Sequence, residues 1–139
     1  MTPLKQTVWR LPIVLVLLGI LPIAASVYRV IVLATTDSGT IVNPDEARFF
    51  DMPGSILIHV IFGTLFLVLG AFQMSPGLRR RSLPLHRRIG RAAAVSALAF
   101  SLTGVWMVFA YPPHSQSSDM VDVGRVVFGL ATSLFIVQG

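Results

Sequence analysis

The sequence predicts an all-α integral membrane protein: a four-helix transmembrane bundle with the N-terminus and the C-terminus both cytoplasmic. Three observations carry this. Of the 139 residues, 54% are hydrophobic and only 12% charged, against roughly 25% charged in a typical soluble domain. With a mean hydropathy of +0.77, the chain has too little polar surface to cover a small water-soluble core. Four apolar stretches each come near the ~20 residues that cross a bilayer's hydrocarbon core. The charges between those stretches sort by sign, basic in one connection and acidic in the next.

The stretches fall at about 11–34, 55–74, 92–111 and 121–137 of a single transmembrane domain covering residues 1–139. An open chain satisfies its backbone in lipid only as helix, so all four read as helices. The first follows Lys5, Trp9 and Arg10, and Ala24-Ala25-Ser26 would suit a signal-peptidase site. Its apolar run continues through Val30-Ile31-Val32-Leu33-Ala34, past any h-region, which favours an uncleaved helix. Pro12 is tolerated in its first turn; the interior Pro22 should kink it. The fourth stretch ends flush at Gly139 with no polar tail, as expected of a fragment of a longer chain.

The connections set the orientation. Residues 35–53 carry Asp37, Asp45, Glu46 and Asp51, residues 112–120 carry Asp119, and residues 75–91 carry six arginines. Lys and Arg concentrate on the cytoplasmic side. The N-terminus and the arginine loop then lie inside, with eight of the eleven basic residues, and all six acids lie on the outer side. The expected location is a bacterial inner membrane. The net charge of +5 is a topology signal, so no nucleic-acid partner is expected. The absence of cysteine excludes disulfides, thiolate metal sites, iron–sulfur clusters and cysteine nucleophiles. Nucleophile elbow, P-loop and zinc-protease motifs are also missing, which argues against an enzyme.

Polar residues inside the membrane are the candidates for function. On the second helix His59, Gly63, Phe66, Gly70 and Gln73 share one face. Such a face suits a neighbouring helix, with glycines for close approach and His or Gln for hydrogen bonds. It would also suit a haem, a quinone or another small ligand. On the third helix Ala93, Ala97, Ser101 and Gly104 make a matching small-residue surface for the second, while Trp106 and Tyr111 suit the interfacial belt. Arg29 and Arg125 lie near the outer ends, and Arg125 is one turn from Asp122, a spacing for an ion pair. Both arginines could snorkel; alternatively Arg29, His59, Asp122 and Arg125 converge on one outer site.

A bis-histidine haem b needs two imidazoles at one depth. His86 lies beyond the inner end of the helix that carries His59, ~25 Å or more away at ~1.5 Å per residue. His114 sits in the outer loop after Pro112-Pro113. A second ligand would have to come from further helices or a partner, and no zinc-type spacing exists. In the arginine loop, Arg79, Arg80, Arg81, His86, Arg87, Arg88 and Arg91 read as a surface for anionic lipid headgroups, at ~1 kcal/mol per basic residue. His86, Arg87 and Arg91 alternatively form a phosphate or partner site.

One segment has a recognisable pattern: His59 within the helix, Gly70-x-x-Gln73 at its inner end, the arginine-rich stretch, then His86-Arg87-x-x-Gly90-Arg91. It resembles a bacterial family of predicted multi-pass membrane proteins of unknown function, over about the middle third of the chain. The resemblance implies His59, Gln73, His86, Arg87, Gly90 and Arg91 as the family-marked positions, and a longer protein with more helices after the fourth. There is also a loose similarity in helix arrangement to membrane b-type cytochrome bundles. Two functions are expected from these readings. One is a non-enzymatic structural or accessory component, contacting lipid and a membrane-protein partner or a second copy. The other is a haem- or quinone-binding electron-transfer protein, or a small-ligand transporter, using the His59/Gly63/Gly70/Gln73 face.

Overall fold

A computed structural model describes residues 13–40, 43–111 and 118–138, and these are helical with short connections and no strand. Lys5, Trp9, Arg10, Pro12, His114 and Gly139 lie outside the described residues. The first apolar stretch is helical at 13–18, turns at Gly19, and continues as α1, Ile20–Thr35. Pro22 explains the interruption: it has no N–H for the carbonyl of Leu18, and its ring crowds that carbonyl. Gly19 also lies against Leu67 of the second apolar helix, where a side chain would collide.

Proline and a capping side chain then set most helix starts, because first-turn N–H groups have no partner within the helix. Asn43 caps α2, Pro44–Asp51, accepting from the backbone N–H of Asp45 at 3.0 Å. Pro53 opens α3, Pro53–Gln73, and Pro76 opens the short α4, Pro76–Arg81. Ser82 caps α5, Leu83–Ala110, with Pro84 in its first turn. The last helix is α6, Asp119–Gln138.

The expected loop at 75–91 is therefore α4 plus the first turns of α5, and the third apolar helix begins at Leu83 instead of about residue 92. The cap at Ser82 and a proline at a position that tolerates it outweigh the charge of the segment. At ~1.5 Å per residue α5 is about 42 Å long, more than the ~30 Å hydrocarbon core. Its arginine-bearing start thus has room to extend into the headgroup layer.

Three helices, α3, α5 and α6, are long and apolar enough to cross a membrane; α1 is apolar but only 16 residues long. Of the most apolar window of each crossing helix, just 11%, 22% and 6% is buried. The large side chains point outward, among them Phe109, Phe128 and Phe135, each more than 70% exposed. Water would make this an aggregating surface; a bilayer makes it solvent-compatible.

Helices in lipid associate through close packing and hydrogen bonds, since burying apolar surface gains little there. Helix α5 is the hub: α3 and α6 pack on it, α1 packs on α3, and no comparable interface joins α3 to α6. The α5–α6 joint rests on Ser101 and Ser133, both buried, with Oγ atoms 2.8 Å apart. Gly129 faces the same joint, where a Cβ would lie 2.5 Å from Val105 Cγ2 and 3.3 Å from the Ser101 carbonyl oxygen. The small face of α5 is consequently shared: Gly104 meets α3, while Ser101 bonds to α6.

Where α2 meets α3, Phe49, Ile56 and Tyr111 form a small core with Leu33, Val60 and Met107. Trp106 is exposed, as an interfacial residue should be, but Tyr111 turns inward and is 7% exposed. Its hydroxyl donates to the Met52 carbonyl at 2.6 Å, satisfying an acceptor at the break between α2 and α3. Its ring meets Phe49 edge-on at 5.4 Å. Burial pushes the Tyr111 phenol above its ordinary 10.0, against weaker opposing hydrogen bonds from Ile56 and Ser55.

Two outcomes follow from these joints. Gly129→Leu should loosen α6 and cost about 1–3 kcal/mol of stability, read from thermal unfolding in detergent. Tyr111→Phe should cost ~0.5–1.5 kcal/mol at neutral pH. Because the folded-state phenol is raised, its contribution is complete below pH 10 and declines as pH rises through the folded value. Stability measured across that range should fall in the wild type more steeply than in Tyr111→Phe.

Candidate functional site

With α3 and α6 both held on α5, a space remains between them. It is a cleft of ≈ 590 Å³, within the ~300–1,000 Å³ typical of small-molecule sites. Helix α3 contributes Ile56, His59 and Phe66 to its wall; α5 contributes residues from Ala97 to Tyr111; α6 contributes Asp122, Arg125, Phe128, Gly129 and Thr132. Arg48 and Phe49 of α2 close the outer end.

His59 is the polar group fixed most firmly in this wall. Its Nδ1 lies 3.0 Å from the Phe100 carbonyl oxygen and 3.3 Å from Thr103 Oγ1. A carbonyl can only accept, so Nδ1 carries the proton. In neutral histidine the other nitrogen, Nε2, is then an acceptor, and it forms no hydrogen bond among the described residues. The imidazole also stacks on the Phe100 ring at 4.3 Å and 29°.

Two glycines make this fit possible. A Cβ at Gly104 would lie 3.1 Å from His59 Cε1, and one at Gly63 would lie 2.7 Å from Phe100 Cδ2. Thr103 Oγ1 is 2.6 Å from the Ala99 carbonyl oxygen, to which it donates, leaving its own lone pairs toward His59.

The end of the cleft beside α2 is cationic and aromatic. The guanidinium of Arg29 lies 4.4 Å from the Phe49 ring centroid and that of Arg48 lies 4.7 Å from it, both within cation–π range. Arg29 Nη1 is buried without a hydrogen-bond partner among the described residues. Arg125 Nη1 pairs with Asp122 Oδ1 at 2.8 Å, the expected one-turn ion pair. Burial lowers the Arg48 pKa; Arg125 and Arg29 lower it further, while Asp45 opposes them.

His59, Asp122 and Arg125 line one cleft, and Arg29 stands behind Phe49 at its end. The stripe along α3 does not form one ligand face. Gly63 is taken up in packing on Phe100, and near Gly70 lies only Phe66 of its own helix, at 3.9 Å. Gln73 is at the other end of α3, donating through Nε2 to the His86 carbonyl at 2.9 Å. The stripe runs the length of the helix, and only its outer half borders the cleft.

Around the end of α3 that bears Gln73 the family-marked positions divide. Gln73, His86 and Gly90 make a structural joint between α3 and α5; a Cβ at Gly90 would lie 3.2 Å from Gln73 Oε1. Arg79, Arg80, Arg81, Arg87, Arg88 and Arg91 are all exposed. Ser75 is 1% exposed, and its Oγ and the Nδ1 of His86 are buried without partners among the described residues. Among the described residues His59 is the only imidazole at the cleft, so these residues supply one axial position for a haem there.

Sequence reasoning missed Arg48, Phe49, Phe128 and Thr132 as cleft residues. The spacing Gly129-x-x-x-Ser133 is a small-residue signal that could have placed α6 on α5. Arg48 and Phe49 carry no such signal, because α2 lies in a connection read only for its charge.

Residues 56–139 match the family model DUF2306, described as predicted membrane protein. No curated protein and no solved structure matches the chain. The match covers well over half of the sequence, including every residue of α5 and α6 and the part of α3 that bears His59; the chain belongs to the DUF2306 family of membrane proteins, whose function is unknown.

Proposed function

We propose that this chain is a ligand-binding membrane protein, holding a small hydrophobic organic molecule in the cleft between α3 and α6. One observation carries the reading: a space of ligand size, walled by aromatic and aliphatic side chains, with the imidazole of His59, oriented through Nδ1, in its lining. Apolar walls with few placed polar groups are the usual composition of such sites. Helix packing accounts for the glycines and for the proton on Nδ1. It leaves the cleft, Nε2 and Thr132 without a role, which is why a purely structural or accessory component is the weaker reading.

We further propose that α1, with residues 13–18, makes a fourth crossing, and that both termini are cytoplasmic in a bacterial inner membrane. The cleft then lies in the outer half of the bilayer and the exposed arginines of α4 and α5 meet anionic headgroups of the inner leaflet. The partition of eight basic residues to one side and six acids to the other supports this.

The ligand reading predicts that protein purified into nanodiscs carries a small molecule, found by mass spectrometry of its organic extract. His59→Ala should lower its amount by roughly tenfold, the loss of one buried hydrogen bond and of ring contact. Extracts identical to those of empty nanodiscs, for both proteins, would count against it. Oxidised and reduced absorbance spectra of the same sample identify a haem or a quinone as that molecule.

The orientation is tested separately, since a chain without cysteine accepts single reporter cysteines cleanly. In right-side-out vesicles an impermeant maleimide should label Gly39→Cys at once and Arg80→Cys only after permeabilisation. The opposite pattern would invert the topology.

A further inference from the structure

The neutral polar groups of the cleft narrow the ligand class, an inference that rests on the ligand-binding reading above. Charge does not select the ligand, because the charged side chains of the lining are compensated: Arg125 pairs with Asp122, and Asp45 acts on Arg48. Hydroxyls of Tyr111, Ser101 and Thr132 also line the cleft. Tyr111 donates to the Met52 carbonyl and Ser101 bonds to Ser133. Thr132 forms no hydrogen bond among the described residues. A helical hydroxyl can donate to the carbonyl four residues back, as Thr103 and Ser133 do, but Thr132 does not. His59 is the second group left over. Its Nδ1 and Cε1 lie against α5, at Phe100 and Gly104. Its Nε2 has no partner among the described residues, yet it is not one of the sealed polar atoms, which are Arg29 Nη1, Ser75 Oγ and His86 Nδ1.

These two groups stand at one depth on facing walls. Ser101 bonds to Ser133, and Gly129 lies against Ser101 and Val105, so Thr132 of α6 is level with residues 101–105 of α5. His59 of α3 meets Phe100, Thr103 and Gly104 of the same stretch. Thr132 is seven residues beyond Arg125 on α6, about 10 Å at ~1.5 Å per residue, so the charged end of the cleft lies away from this level. We propose that the ligand is a neutral lipophilic alcohol or phenol whose hydroxyl sits between His59 and Thr132. Its O–H donates to Nε2 of His59, its oxygen accepts from Oγ1 of Thr132, and its apolar body lies along the aromatic lining. A hydroxyl answers both groups at once; an ether, a ketone or a carboxylate accepts from Thr132 but has no proton for Nε2.

The test measures binding of 4-dodecylphenol, its methyl ether and dodecylbenzene to the chain in phosphatidylcholine nanodiscs, with empty discs subtracted and affinities expressed per mole fraction in the lipid. The phenol should bind best, the ether roughly tenfold less well for want of the donor, and dodecylbenzene more weakly again. Thr132→Val, which keeps the shape of an exposed side chain and removes its hydroxyl, should weaken the phenol and the ether several-fold and leave dodecylbenzene unchanged. Thr132→Ser should restore the phenol. Nitrogen NMR of histidine-labelled protein should show the Nε2 signal of His59 moved by the phenol and not by dodecylbenzene. Equal affinity for phenol and dodecylbenzene, phenol binding indifferent to Thr132→Val, or an Nε2 signal that bound phenol leaves in place would each overturn the hydroxyl inference and leave the ligand-binding reading standing. So would a co-purified molecule that has no hydroxyl. No binding of any of the three compounds above empty discs would overturn the hydroxyl inference and, together with a ligand-free extract, the ligand-binding reading itself.

Discussion

The hydrogen bond from His59 to the carbonyl of Phe100 is the contact on which the arrangement of this protein depends. A helix carbonyl already accepts from the N–H four residues on, yet it has a second lone pair. Side chains usually cover that lone pair. Here residue 104 is a glycine, and the imidazole reaches the oxygen over it, at 3.0 Å. On the other helix Gly63 receives the Phe100 ring in return. The two glycines and the one hydrogen bond hold α3 to α5 where lipid offers little hydrophobic drive. They also determine that Nδ1 of His59 carries a proton.

The rest follows from α5 having two partners on different faces. Ser101, Ser133 and Gly129 hold α6, while His59, Gly63 and Gly104 hold α3. Helices held so by a shared neighbour need not meet each other, and the space between them is the cleft. One end is closed by α2, tied down through Phe49, Tyr111 and the Met52 carbonyl. The polar residues of this apolar chain thus fasten helices in the middle and gather charge at the end of the cleft beside α2.

Much of this was legible in the residues themselves. Run length and charge partition announced membrane helices, and His59 stood out because a histidine in an apolar run needs a partner or a task. The ion pair Asp122–Arg125 was readable from spacing, and so was the interruption in the first helix near Pro22. Helix rotation was not readable, because period alone leaves a helix free about its axis. For that reason the stripe from His59 to Gln73 looked like one surface when it is two, an outer half at the cleft and an inner half closed on α5. The extension of α5 back to Leu83 escaped a reading led by charge, although Ser82 and Pro84 together spell a helix start. Tyr111 looked like an interfacial anchor; only tertiary contact with Phe49 and Met52 turns it inward.

The most direct measurement is the protonation of His59 by nitrogen NMR of histidine-labelled protein in nanodiscs, its signals assigned by their loss in His59→Ala. His59 should show one neutral tautomer at neutral pH, protonated at Nδ1 with Nε2 bare. The opposite tautomer, with its proton on Nε2 alone, would mean that the joint with Phe100 is not made by this hydrogen bond, and a charged imidazolium would leave the cleft without an acceptor on His59.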